Sequence, residues 1–233
     1  MAPRVKHNGR RDGAGRDPGG RRTELGGEQV EGRRAVRELL VAGTRRVRTV
    51  TVSDGVERSD LLDEITELAG PQLRHAAAAK VAALARTEAH QGVVATADAL
   101  VPADLAELAR SPRPFLLALD GVTDPGNLGA VLRTADTAGV TGAILTRHRS
   151  AHVTPTVAKA AAGAIEYVPI ALVAGIPNAL ERLKREGIWS VALDGDGDAT
   201  LDDLALATEP LVLVLGAEGR GVSRLARERC DVH

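Results

Sequence analysis

The chain has 233 residues, 44% of them hydrophobic, and a formal net charge of −1. That length can bury a real core, as one large domain or two small ones. The single cysteine, Cys230, excludes a disulfide framework and a cysteine-rich metal site, and no apolar run is long enough for a membrane span or a signal peptide, so a cytoplasmic protein is expected.

Phe115, Tyr167 and Trp189 are the whole aromatic set, so the core must be built from Ala, Val, Leu and Ile. Lysine is confined to Lys6, Lys80, Lys159 and Lys184; positive charge is otherwise arginine, whose planar fork grips phosphate in two places. Residues 1–27 crowd Arg4, Lys6, Arg10, Arg11, Arg16, Arg21 and Arg22 among glycines. Such a segment buries too little apolar surface to order itself, and a disordered basic tail is expected. It can hold RNA phosphates or be a solvated leader; both readings stay open.

Next in the chain, Val30, Ala35, Val36, Leu39 and Leu40 recur at helical spacing over 28–40, with Gly43 placed to end the helix. Residues 47–52 alternate as a strand, 61–68 and 76–85 read as helices, and 92–96 as another short strand. Residues 28–98 are therefore expected to form a small α/β domain. A short helix and a linker follow over 99–113, edged by Pro102, Pro112 and Pro114. From residue 114 the order becomes β-α-β. Apolar runs at 115–119, 142–146, 189–193 and 211–215 read as strands covered on both faces, with helices near 126–138, 155–163 and 175–186 between them. This implies an α/β fold with a mostly parallel sheet, in which Phe115 and Trp189 sit in buried strands. Ligands of such sheets bind beyond the carboxyl ends of the strands.

Two loops lie at such ends. In the first, Asp120 to Arg133, Asp124 is a good N-cap and Pro125 a good first helical residue. Asn127, Ala130 and Arg133 then share a face, Val131, Leu132 and Ala135 point to the sheet, and Gly126 and Gly129 permit close approach. In the second, Leu215-Gly-Ala-Glu-Gly-Arg-Gly-Val222, a buried strand runs into Gly216, Gly219 and Gly221 with Glu218 among them. No Gly-Lys-Ser/Thr follows, and the spacing differs from G-x-G-x-x-G, so neither a P-loop nor a dinucleotide fingerprint is present.

Together the segments 124–136 and 215–222, with 154–164 between them, resemble the SpoU/TrmH family of knotted SPOUT RNA methyltransferases. The stretch 28–40 and His90-Gln-Gly-Val93 resemble the substrate-binding domain that precedes some of these catalytic domains, in an arrangement similar to the enzymes that methylate a guanosine ribose in 23S ribosomal RNA. The resemblance implies S-adenosylmethionine as cofactor, ribosomal RNA as partner, a homodimer, and a trefoil-knot-type catalytic domain over 114–233. It implies Arg133, Asn127 and Glu218 as catalytic, with Glu218 orienting the Arg133 guanidinium. It further implies Leu215, Gly216, Gly219 and Gly221 as cofactor-binding, and Arg33, His90 and Gln91 as RNA-binding. The family's third motif is absent at Cys230-Asp-Val-His233, so a C-terminally incomplete catalytic domain is expected.

Two alternatives remain: the same chemistry on transfer RNA, and a noncatalytic RNA-binding or ribosome-assembly factor. No metal is expected. An EF-hand loop starting at Asp194 would need Gly at Ala199 and Glu at Ala205, and His148 and His152 lack a third ligand.

Overall fold

A computed structural model describes residues 25–233 except 149, 151, 196, 198, 199, 201–205 and 207. The basic tail up to residue 24 lies outside the described residues. The first segment, β1 (Gln29–Glu31), is a strand, and α1 (Arg33–Ala42) starts only after Gly32. The helical spacing over 28–40 therefore overran the helix start. Gly32 turns the chain with φ 91°, a conformation that side chains disfavour, and leaves Val30 buried in a strand. Gly43, left-handed at φ 59°, closes α1 as expected.

There follow β2 (Val47–Ser53), α2 (Asp60–Ala69), β3 (Leu73–Ala76), α3 (Ala78–Leu84) and β4 (Val93–Ala97). Ser59 caps α2, its hydroxyl accepting from the Leu62 N–H. The expected helix over 76–85 loses Ala76 to β3, an edge strand disguised by exposed Arg74 and His75, and starts at Ala78. These strands form a sheet in the order β1-β4-β2-β3, with β2 and β3 parallel and the other pairs antiparallel.

The second half runs α4 (Leu105–Ala109), β5 (Phe115–Asp120), α5 (Pro125–Thr137), β6 (Gly142–Thr146), α6 (Pro155–Ala160), β7 (Ile170–Val173), α7 (Ile176–Arg185), β8 (Trp189–Ala192), β9 (Leu211–Gly216) and α8 (Arg224–Arg227). Its five strands are all parallel, in the order β7-β6-β5-β9-β8. Alternation along them fills two layers. Leu117, Leu119 and Leu145 pack with Leu128 and Leu132 of α5 and Val157 of α6, in a core continuous with Val36 and Leu39 of α1, Val50 of β2 and Ile65 of α2. Leu116, Ile144, Val212 and Val214 pack on the other face with Leu105, Leu108, Leu180 and Leu183. Each fully buried leucine contributes about 1.5–3 kcal/mol, so a core with almost no aromatic residues is held by many aliphatic side chains.

Trp189 departs from expectation. It is 44% exposed, because β8 pairs only with β9 and lies at the sheet edge. The strand order also locates the switch point. Beyond β5 the chain builds β6 and β7 on one side, and later β9 and β8 on the other. The loops after β5 and β9 therefore emerge side by side at the carboxyl edge, where α/β sheets bind ligands.

Candidate active site

Asp120, the last residue of β5, stands in register with Gly216, the last of β9. An acid at that position caps the neighbouring loop: the Ser223 N–H donates to Asp120 Oδ2 at 2.8 Å. In the first loop, Asp124 Oδ1 accepts from the Asn127 N–H at 2.7 Å and Pro125 opens α5. Gly129 is needed for packing. A Cβ there would stand 2.4 Å from Ala160 Cβ and 2.7 Å from the Val157 carbonyl oxygen of α6.

The second loop is a tight reversal in which the Gly221 and Arg220 N–H groups donate to the Ala217 carbonyl at 2.8 and 3.2 Å. Gly219 and Gly221 have φ 75° and 65°, which favours glycine. Gly216 is small for a different reason. A Cβ on it would lie 1.8 Å from the Gly221 carbonyl carbon, so the returning chain rests on its α-carbon. Leu215 is half-buried against the core. Around the α-carbons of Gly219 and Gly221 there is open space, which leaves this backbone approachable by a ligand.

The two loops meet through side chains as well. Asn127 Nδ2 donates to Glu218 Oε2 at 3.1 Å, across 91 residues of sequence. Glu218 is thus engaged by the amide, whereas its expected partner was the Arg133 guanidinium. The reason is helical geometry. Six residues carry Arg133 about 9 Å along α5 and about 120° around it from Asn127, so the two belong to one broad exposed arc and not to adjacent positions. Of the residues expected to face the sheet, Leu132 and Ala135 are buried and Val131 is half-buried. Arg133 is exposed, and among the described residues its guanidinium has no hydrogen-bond or ion-pair partner. The site therefore holds a carboxylate–amide pair at the start of α5 and an uncommitted cation farther along it.

The other expected binding residues sit at a corner of the first sheet. Gln91, at φ 54°, presents Oε1 to the Arg33 N–H at 3.0 Å, and His90 Nδ1 accepts from the Gly92 N–H at 3.1 Å. The Arg33 fork is spent inside the protein, on the Ser59 hydroxyl at 2.9 Å and the Glu57 carbonyl at 2.8 Å. Arg33 thus braces the corner, and Gln91 and His90 shape it. Among the described residues no group of three His, Cys, Asp or Glu side chains could hold a metal, and no helix is long and apolar enough to cross a membrane. Asp120 was not singled out from sequence, although an acid ending an apolar strand at a switch point is a usable signal.

Known proteins resemble the chain over most of its length. Residues 114–233 match the SpoU rRNA Methylase family, and residues 29–103 match RNA 2′-O ribose methyltransferase substrate binding. The chain is 39% identical over 211 residues to the 23S rRNA (guanosine-2′-O-)-methyltransferase RlmB of Pseudomonas putida, covering 88% of this chain and 84% of the relative. A Staphylococcus haemolyticus relative of the TrmH family, whose name leaves tRNA and rRNA both open, is 34% identical with the same coverage. Among solved structures, the SpoU methyltransferase AviRb of Streptomyces viridochromogenes, in complex with the cofactor AdoMet, superposes with TM-score 0.71 at 27% identity, covering 88% of this chain and 78% of that one.

Proposed function

The chain belongs to the SpoU rRNA methylase family, and from that premise we propose that it methylates the 2′-oxygen of a guanosine ribose in 23S ribosomal RNA with S-adenosylmethionine. The observation that carries the reading is the meeting of the two loops at Asn127 and Glu218, with the exposed Arg133 on the same helix. When bound, the sulfonium cofactor supplies an electrophilic methyl group and leaves as a neutral thioether. The open backbone at Gly219 and Gly221 fits a ligand held through main-chain atoms, and Leu215 and Gly216 form the strand end behind it.

The remaining work is positioning and charge. In-line displacement needs the acceptor oxygen aligned with the methyl group. Glu218 takes the amide N–H of Asn127, which leaves Asn127 Oδ1 as an acceptor for the ribose hydroxyl. Arg133 cannot serve as a base, because its guanidinium stays protonated; its role is to hold substrate phosphate and stabilise developing alkoxide charge, while the hydroxyl proton passes to solvent water, which the exposed Asn127, Arg133 and Glu218 admit. Residues 28–98 engage RNA through the Gln91–His90 corner braced by Arg33, residues 99–113 link, and residues 114–233 transfer the methyl group. The family match over 29–103 supports that division. The same reading carries a homodimer in the bacterial cytoplasm, where ribosomal RNA is made; exposed Leu193 and Leu225 give a dimer apolar surface to cover.

Supplying methyl-tritiated S-adenosylmethionine with protein-free 23S rRNA and, separately, bulk tRNA tests the substrate. Label in 23S rRNA alone is the expected result. Label in tRNA alone would move the reading to the tRNA enzymes, and label in neither would favour a noncatalytic factor.

A further inference from the structure

Arg45 lies between α1 and β2, and Glu166 lies in the short turn after α6, 121 residues later. Their side chains are 6% and 0% exposed. They pair as fork to fork, Arg45 Nε to Glu166 Oε2 at 2.9 Å and Nη2 to Oε1 at 2.6 Å. The third nitrogen, Nη1, donates to the carbonyls of Gly27 at 2.6 Å and Asp98 at 2.7 Å. Gly27 is where the chain enters the first sheet, and Asp98 is where it leaves. One guanidinium thus gathers the entry to the first sheet and the exit from it, and ties both to the turn after α6 in the second half.

Apolar contact already joins the halves through a continuous core, and replacing a buried ion pair with apolar side chains is often no less stable. Such contact tolerates sliding, whereas a bidentate pair with every oxygen satisfied fixes direction. The outlying contact, Tyr167 Oη donating to Glu38 Oε2 at 2.8 Å, joins a tyrosine that is 44% exposed and constrains less. We propose that Arg45 and Glu166 are positioning residues that set the angle at which the RNA-binding sheet stands over the transfer loops. This rests on the proposed function, since the angle matters only if one sheet presents RNA to the other. A misplacement of about 1 Å at a reacting oxygen can cost about a hundredfold in rate.

The test uses the whole chain with spin labels at Glu67→Cys in α2 and Arg185→Cys in α7, in a Cys230→Ser background. Glu166→Gln removes one charge. Arg45→Met/Glu166→Leu removes both while keeping volume, and stands in if the single variant fails to fold. The expected result is a broadened label-to-label distance distribution, kcat on RNA lower by about tenfold or more, and KM for RNA and S-adenosylmethionine affinity within about threefold of the parent. A merely structural role would lower the melting temperature and leave kcat of the folded protein alone. A folded double variant with the parent's distance distribution, or with the parent's kcat, overturns the proposal. A parent without activity on RNA sinks the functional reading instead, and the distance distribution alone then decides whether the pair fixes the angle.

Discussion

Arg133 and Gly216 separate chemistry from architecture at single positions. Arg133 is exposed and unpartnered among the described residues, so the fold loses nothing when it is removed. Arg133→Ala should lower kcat by about a hundredfold or more, as for loss of an oriented charge, with the melting temperature unchanged. Turnover near the parent's would take Arg133 out of the mechanism. Gly216→Ala should do the opposite. Its Cβ would overlap the main chain at Gly221, forcing the second loop outward. Cofactor affinity, measured by calorimetry, should fall by about tenfold or more because the displaced loop must be reordered on binding. Unchanged affinity would show that the cofactor does not use this loop. Cys230 gives a third check. Burial pushes its thiol up to about 11 from 9.0, and the Asp231 carboxylate adds to the effect. The fold therefore favours the neutral thiol, so this contribution to stability is complete below pH 9 and is lost as pH rises from 9 to 11. At pH 8, iodoacetamide should alkylate the native protein at least about tenfold more slowly than the unfolded chain, since the thiolate is the nucleophile. Equal rates would contradict the burial.

Among the elements, α5 is the one whose placement the site depends on, and its seating against α6 is the most exacting contact. Gly129→Ala would put a methyl group 2.4 Å from Ala160 Cβ and 2.7 Å from a backbone oxygen. The helices must part, at a cost of about 1–3 kcal/mol, read as a lower urea midpoint with unchanged slope. A midpoint equal to the parent's would mean that the two helices already have slack. The same helix illustrates what was readable from sequence. Its start was legible because Asp124 and Pro125 are local signals, and β5, β6, β8 and β9 were legible because each is marked by a run of five mostly apolar residues, at 115–119, 142–146, 189–193 and 211–215. The strands β1, β3 and β7 were not, since three or four residues carry too little pattern and owe their pairing to distant neighbours. The Asn127–Glu218 hydrogen bond was within reach only as a meeting of loops. Which side chain takes the carboxylate depends on the turn of α5, and it is the Asn127 amide that does so.

For the whole molecule, two sheets share one aliphatic core, and the loops after β5 and β9 and the Gln91 corner belong to different halves of it. Nothing in the sequence marks Arg45 and Glu166 as partners, because their pairing exists only once both halves are folded. If the assembled molecule puts a methyl group on a ribose oxygen, the nucleosides of its product carry that group. 23S rRNA treated with the protein and S-adenosylmethionine should be digested to nucleosides and separated by liquid chromatography with mass detection. New 2′-O-methylguanosine is the expected product, formed far more slowly when Arg133→Ala replaces the parent. A methyl group on a base, on a ribose other than guanosine's, or on no nucleoside would contradict the proposed function.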